Sequence, residues 1–210
     1  MLNTYIARQI YEKISFETTF SQKKVVEMLS DYLSEPKSEQ IFVLNGYAGT
    51  GKTTLLAAVV EVLNAMQVPT VLLAPTGRAA KVLSRYCHRT ALTIHKRIYR
   101  ERTTADYESH FSLDVNKECG AVFIVDEASM LADATSEGQL FGSGSLLDDL
   151  IKYIRSGRDC RLILVGDNAQ LPPVGAAFSP ALDRGVMSGY GEVVYASMDD
   201  VVRQSAESGI

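Results

Sequence analysis

Five short apolar runs punctuate the chain: Ile41 to Leu44, Thr70 to Ala74, Ala121 to Val125, Arg161 to Val165 and Glu192 to Ala196. Each is rich in Val, Ile and Leu, and segments of helical character separate them. Continuous apolar runs of this length are what strands buried on both faces of a mostly parallel sheet require. Helices are expected from Thr53 to Gln67, closed by Val68-Pro69, from Arg78 to Tyr86, and from Leu146 to Arg155, closed by Ser156-Gly157. Proline cannot continue a helix, and glycine ends one at no steric cost. The expected fold class is α/β, a three-layer domain around a mostly parallel central sheet.

Two stretches break the pattern. Residues 99–117 are polar with scattered aromatics, and a small β-hairpin is expected there, its strands within Tyr107 to Val115; residues 132–145 contain the loop-like GQLFGSGS. The opening MLNTYIARQIYEKI is polar throughout. No run approaches the roughly 20 apolar residues that cross a bilayer, so a soluble, cytoplasmic protein with no membrane partner is expected.

Composition narrows this further. A chain of 210 residues, 46% hydrophobic, can bury one substantial core, so a single domain over 1–210 is expected. With 21 basic and 25 acidic residues and a net charge of -4, the protein as a whole does not attract a polyanion. Any nucleic-acid surface must be a local patch. Cys87, Cys119 and Cys160 show no CxxC spacing, which supports neither a zinc site nor a disulfide framework.

The strongest chemistry lies between the first apolar run and the first helix. Gly46-Tyr47-Ala48-Gly49-Thr50-Gly51-Lys52-Thr53 fits GxxxxGK[ST]. Glycines let backbone N–H groups wrap a phosphate, the helix N-terminus adds a positive dipole end, Lys52 reaches the β- and γ-phosphates, and Thr53 offers a hydroxyl to Mg²⁺. Gly46, Ala48, Gly49, Thr50, Gly51, Lys52, Thr53 and Thr54 are the candidate ATP contacts. Ala121 to Val125 ends in Asp126-Glu127. There Asp126 is the candidate metal ligand, together with Thr53, and Glu127 the candidate catalytic base.

A nucleotide loop with an acidic strand end is shared by kinases, GTPases and motors, so the remaining segments decide the family. Leu162-Ile163-Leu164-Val165-Gly166-Asp167-Asn168-Ala169-Gln170-Leu171-Pro172-Pro173-Val174-Gly175 resembles motif III of superfamily-one helicases of the RecD-like branch. Leu73 to Ala80 resembles motif Ia, Ala91 to His95 motif Ib, Asp126 to Met130 motif II, and Val202-Arg203-Gln204 the start of motif IV. The resemblance runs from residue 18 to 210.

It implies an N-terminal RecA-like motor domain (1A) of an ATP- and Mg²⁺-dependent DNA helicase. ATP hydrolysis would be coupled to movement along single-stranded DNA and unwinding of duplex DNA, with 5′ to 3′ polarity implied only by the branch. Gln170 would sense the γ-phosphate and Arg203 would contact it. Thr76, Arg78, Thr93 and His95 would contact DNA, and Lys96, Arg97 and Arg100 add a basic run that a solvated face explains equally well. The insertion at 99–117 would carry a strand-separating pin, with Tyr107 and Phe111 as its apolar candidates.

Gln22, in a helix over 17–34, resembles the glutamine that recognises adenine. Thr19-Phe20-Ser21-Gln22 is equally a capping box, in which Gln22 would bond back to Thr19. Such motors complete their site with an arginine from a second motor domain, so these 210 residues are expected to bind ATP but hydrolyse it weakly. Work in DNA repair or recombination alongside other subunits is a further implication. The alternatives are a nucleotide-gated regulatory or scaffold subunit of a helicase–nuclease complex, and the motor of a larger relaxase–helicase fusion.

Overall fold

The computed structural model describes residues 1–35, 40–103, 109–131, 141–170 and 178–200. Six strands form the central sheet: β1 (Ile41–Gly46), β2 (Thr70–Ala74), β3 (Ala91–Thr93), β6 (Val122–Val125), β7 (Arg161–Gly166) and β8 (Val193–Met198). Their order is β3-β2-β6-β7-β1-β8, and every pairing is parallel. A separate antiparallel pair is made by β4 (Tyr99–Thr103) and β5 (Ser109–Leu113).

Alternation along each strand splits the interior into two layers. Phe42, Leu44, Ile124, Ile163 and Val165 face helices α1 (Leu2–Lys13), α2 (Phe20–Ser34), α3 (Lys52–Ala65) and α4 (Gly77–Cys87). Ile41, Val43, Phe123, Val125 and Leu164 face α5 (Ile94–Ile98), α6 (Leu146–Arg155) and the segment leading into α7 (Arg184–Ser188). The central strands have almost no accessible surface, which is why their sequences read as unbroken apolar runs. Each fully buried Leu, Ile or Phe contributes on the order of 1.5–3 kcal/mol.

The expected strands and helices appear within two residues of their boundaries, and four features differ from expectation. The polar N-terminal segment forms α1, which packs against α2 and α3 through the buried Ile6 and Ile10. Motif Ib is a short edge strand, β3, followed at once by α5. The helix placed over 17–34 begins at Phe20, after the Thr19 cap. The hairpin, expected within 107–115, starts at Tyr99 and pairs Tyr99 with Leu113 and Glu101 with Phe111. Its first strand is polar because only one face of an antiparallel pair needs to be apolar. Tyr107 lies outside the described residues.

Candidate nucleotide and nucleic-acid site

All six strands of the sheet are parallel, so their carboxyl ends share one edge, the edge where open α/β sheets bind ligands. There the register aligns Asn45 of β1 with Gly166 of β7, Val125 of β6 with Leu164 of β7, and Ala74 of β2 with Thr93 of β3. This alignment brings together the turn after β1, Asp126 and Glu127 after β6, Asp167 to Gln170 after β7, and Thr76 and His95 beyond β2 and β3.

The turn after β1 has the backbone of an anion cradle. Gly49 (φ 78°) and Gly51 (φ 87°) occupy the left-handed region, where an L side chain is strained. A Cβ on Gly46 would stand 3.0 Å from Met198 Cβ, the Met198 carbonyl oxygen and Thr50 Oγ1. Thr50 is fully buried and its hydroxyl donates to the Tyr47 carbonyl at 2.8 Å, which fixes the loop from inside. Ala48 and Gly49 are exposed, as is Thr54 in the first turn of α3, while Thr53 is half-buried.

The helix that follows is open at its N-terminus. Thr19, Thr76, Thr93, Ser145 and Asp183 each cap a helix with a side-chain oxygen, whereas α3 begins at Gly51 with no such cap. Its first N–H groups therefore face the loop with the positive end of the helix dipole behind them. Lys52 folds back across the loop, donating to the Gly46 carbonyl and, at 2.9 Å, to the Tyr47 carbonyl. Burial pulls its pKa down; the charges of Asp167, Asp126 and Glu127 oppose that. An ammonium held only by carbonyls, with three carboxylates behind it, is placed to take a phosphate oxygen.

Asp126 follows β6, and its N–H donates to the Leu73 carbonyl at 3.0 Å. Its Oδ1 accepts from the Glu127 N–H at 3.0 Å. Burial raises its pKa from 3.8 to about 6, with the Glu127 charge adding to the rise, while the Glu127 N–H bond and Lys52 lower it. A carboxyl stripped of water to this degree suits a divalent cation. Among the described residues no group of three or more His, Cys, Asp or Glu is arranged to hold a metal alone, so a cation here would share its coordination with phosphate oxygens and water. Glu127 adopts φ 56° and opens the 3₁₀ turn Ala128–Met130.

Asp167, to which its motif assigns no role, is 2% exposed at the end of β7, and its charge is the largest acting on Lys52. The sequence signal for it was the GD pair closing an apolar run. Gln170, three residues on, is exposed, and its N–H closes the turn by donating to the Asp167 carbonyl at 3.1 Å. The neighbouring Asn168 N–H donates to Asn45 Oδ1 at 3.0 Å, joining this turn to β1. Leu171 to Gly175 and Arg203 lie outside the described residues.

Gln22 makes the capping box complete: its N–H donates to Thr19 Oγ1 at 3.3 Å, and its Oε1 accepts from the Thr19 N–H at 2.9 Å. Its Nε2 donates to the Thr50 carbonyl at 2.9 Å, and the side chain is 3% exposed. The capping alternative is therefore the one the structure displays, with a tether to the nucleotide loop added to it.

Beyond β2 and β3, Thr76 caps α4 and Thr93 caps α5, by accepting from Ala79 and Lys96 at 3.2 and 3.3 Å. Each hydroxyl still has its own proton to donate. Arg78 is exposed in the first turn of α4. His95 joins an aromatic cluster, 5.2 Å from Phe141 and 5.7 Å from Tyr99 by ring centroids, with Phe111 of the hairpin stacked on Phe141 at 4.6 Å. Tyr99 donates its hydroxyl proton to the buried Asp149 at 2.8 Å, and the Ser143 N–H donates to the same oxygen at 2.9 Å. His95 thus belongs to the root of the hairpin as well as to the end of β3. No helix among the described residues is long and apolar enough to cross a membrane.

A family model described as an AAA domain matches residues 21–209. The chain is 30% identical over 164 residues to the ATP-dependent RecD2 DNA helicase of Deinococcus radiodurans, a match covering 74% of this chain and 19% of that protein. It is 31% identical over 164 residues to the ATP-dependent DNA helicase dda of Enterobacteria phage T4, covering 75% of this chain and 33% of that protein. The chain therefore spans a third or less of either relative's length. The crystal structure of Pif1 helicase from Candida albicans matches with a TM-score of 0.50 at 20% identity, over 90% of this chain and 41% of that one; this likeness concerns the fold alone.

Proposed function

The chain belongs to the AAA domain family and is a motor domain of the superfamily-one helicase type, and from that premise we propose that the protein is an ATP-dependent DNA helicase in which residues 1–210 are the N-terminal motor domain. One observation carries this reading: an uncapped helix behind a phosphate loop, two acids at the end of β6 and Gln170 after β7 share a sheet edge with Thr76 and Thr93. Nucleotide state and a DNA strand can then influence each other through the same strands.

In this reading the loop Gly46 to Thr53 and the first turn of α3, Thr54 included, bind the phosphates of ATP, with Lys52 on the β- and γ-phosphates. Thr53 and Asp126 would hold Mg²⁺, which would supply charge to offset that of the phosphates. Glu127 accepts the proton of the attacking water, and Gln170 and Arg203 respond to the γ-phosphate. Hydrolysis proceeds chiefly by positioning and charge stabilisation. Thr76, Arg78, Thr93 and His95 hold single-stranded DNA, and the hairpin over 99–113 divides the duplex ahead of it. Gln22 braces the nucleotide loop. Other subunits and a role in DNA repair or recombination belong to the same proposal.

A strand-separation assay on the full-length protein tests it, with a tailed duplex, ATP and Mg²⁺. Wild type separates the strands, while Lys52→Ala and Glu127→Gln do not. A Lys52→Ala protein that unwinds normally would overturn the reading, and wild type without activity that still binds a nuclease partner would favour the scaffold alternative.

A further inference from the structure

Between Glu61 and Glu101 the chain has no acidic residue and seven basic ones, which leaves 14 basic against 25 acidic residues elsewhere. Some of that charge is engaged locally. Arg97 pairs with Glu118, Arg100 with Asp114 at 2.7 Å, and Arg89 donates to Asn64 at 3.0 Å. Arg78, Lys81 and Arg85 are different. All three are exposed on α4, their spacing of three and four residues puts them on one face, and none has a hydrogen bond or ion pair among the described residues. Val82 (46% exposed) and Tyr86 (54% exposed) lie between them on the same face. The opposite face of α4 buries Ala80, Leu83 and Cys87, so the helix is fixed and its outer charges form a rigid row.

We infer that this face of α4 binds the phosphate backbone of duplex DNA. The inference rests on the proposed reading that the carboxyl edge of the sheet holds a single strand, and extends it to a second surface. The helix starts at that edge with Thr76 and Arg78 and then runs back along the flank of the domain. Seven residues separate Arg78 from Arg85, a rise of about 10 Å. This is comparable to the ~12 Å width of the major groove that separates two backbones of B-DNA. In this arrangement a strand that follows the sheet edge past Arg78 leaves Lys81 and Arg85, farther along α4, to a second backbone. In a protein of net charge -4, a helix face that concentrates cations with no partner among the described residues suits a polyanion.

The test uses the full-length protein and the variant Lys81→Gln/Arg85→Gln, with binding to a tailed duplex and to a single strand of equal length followed across a salt series. Each lost phosphate contact on duplex DNA lowers the slope of log K against log salt by about 0.9. The variant should thus lose a slope of about 2 on the tailed duplex and bind it several-fold more weakly near 0.1 M salt, a range set by the same counterion release. Single-strand affinity, single-strand-stimulated ATP turnover and melting temperature should stay at wild-type values. An equal loss on both DNAs, or no change on either, overturns the inference. Wild type that fails to bind single strands sinks the earlier reading instead, a result distinguishable from either.

Discussion

Gln22 Nε2 donates to the carbonyl of Thr50 across 2.9 Å, so the first turn of α2 is tied to the floor of the nucleotide loop. The same side chain closes the Thr19 capping box. Gln22→Ala removes both contacts and leaves a buried carbonyl without its donor. A loss of about 2 kcal/mol in denaturant unfolding is expected, with a raised KM for ATP. Side-by-side KM values for ATP and GTP separate bracing from base recognition: bracing raises both equally, whereas adenine recognition raises that for ATP alone.

Asp126 gives a pH prediction. Its folded pKa of about 6 lies above its ordinary 3.8. The folded chain therefore holds the proton more tightly than the unfolded chain. Asp126 favours folding fully below about pH 4, and that contribution is lost as pH rises through 6. Asp126→Asn keeps an oxygen for the Glu127 N–H but never ionises. In metal-free buffer the variant should be more stable than wild type at pH 7.5, by on the order of 3 kcal/mol, and this advantage should shrink as pH falls through 6 and be nearly gone by about pH 4. ATP turnover should fall at least about a hundredfold, a loss of roughly 2.7 kcal/mol in transition-state stabilisation. Lower stability of Asp126→Asn at pH 7.5 would contradict the account.

The hairpin root depends on Asp149, a buried carboxylate that accepts from Tyr99 Oη and the Ser143 N–H. Asp149→Ala leaves both donors without an acceptor, at a cost of about 2–4 kcal/mol. The Phe111–Phe141–His95 cluster beside it should loosen with it. Strand separation by the full-length protein should then fall further than its DNA-stimulated ATP turnover. Equal losses in both would mean that Asp149 supports only the general fold.

Gly46 is closely enclosed. A Cβ there meets the Met198 carbonyl and Thr50 Oγ1 at 3.0 Å, and the backbone of β8 cannot yield as a side-chain tip could. Gly46→Ala should lower stability by about 1–3 kcal/mol and weaken ATP binding together with it, as read by calorimetry with a non-hydrolysable analogue.

What could be read from sequence follows from how each feature is made. The strands β1, β2, β6 and β7 are buried on both faces and appear as apolar runs, and the nucleotide loop is contiguous, so both are visible in one dimension. Helix α1 buries only Ile6 and Ile10 among its polar residues, too little apolar surface to stand out. Strand β3 has three residues, below the length at which a run is distinctive. The hairpin root joins His95, Tyr99, Phe111, Phe141 and Asp149, and the Gln22 tether spans 28 residues. Such contacts exist only once the chain has folded. Asp167 sat inside a recognised motif, yet its place opposite Lys52 is a property of neighbouring strand ends.

In the proposed function the nucleotide loop and the strand-end edge form one engine, driven by ATP and engaged by DNA. Its most direct test is ATP turnover of the full-length protein with and without single-stranded DNA, for wild type and Lys52→Ala. DNA should raise wild-type turnover at least about tenfold, a coupling of roughly 1.4 kcal/mol, and Lys52→Ala should abolish turnover in both conditions. Turnover indifferent to DNA, or surviving the loss of Lys52, would contradict it.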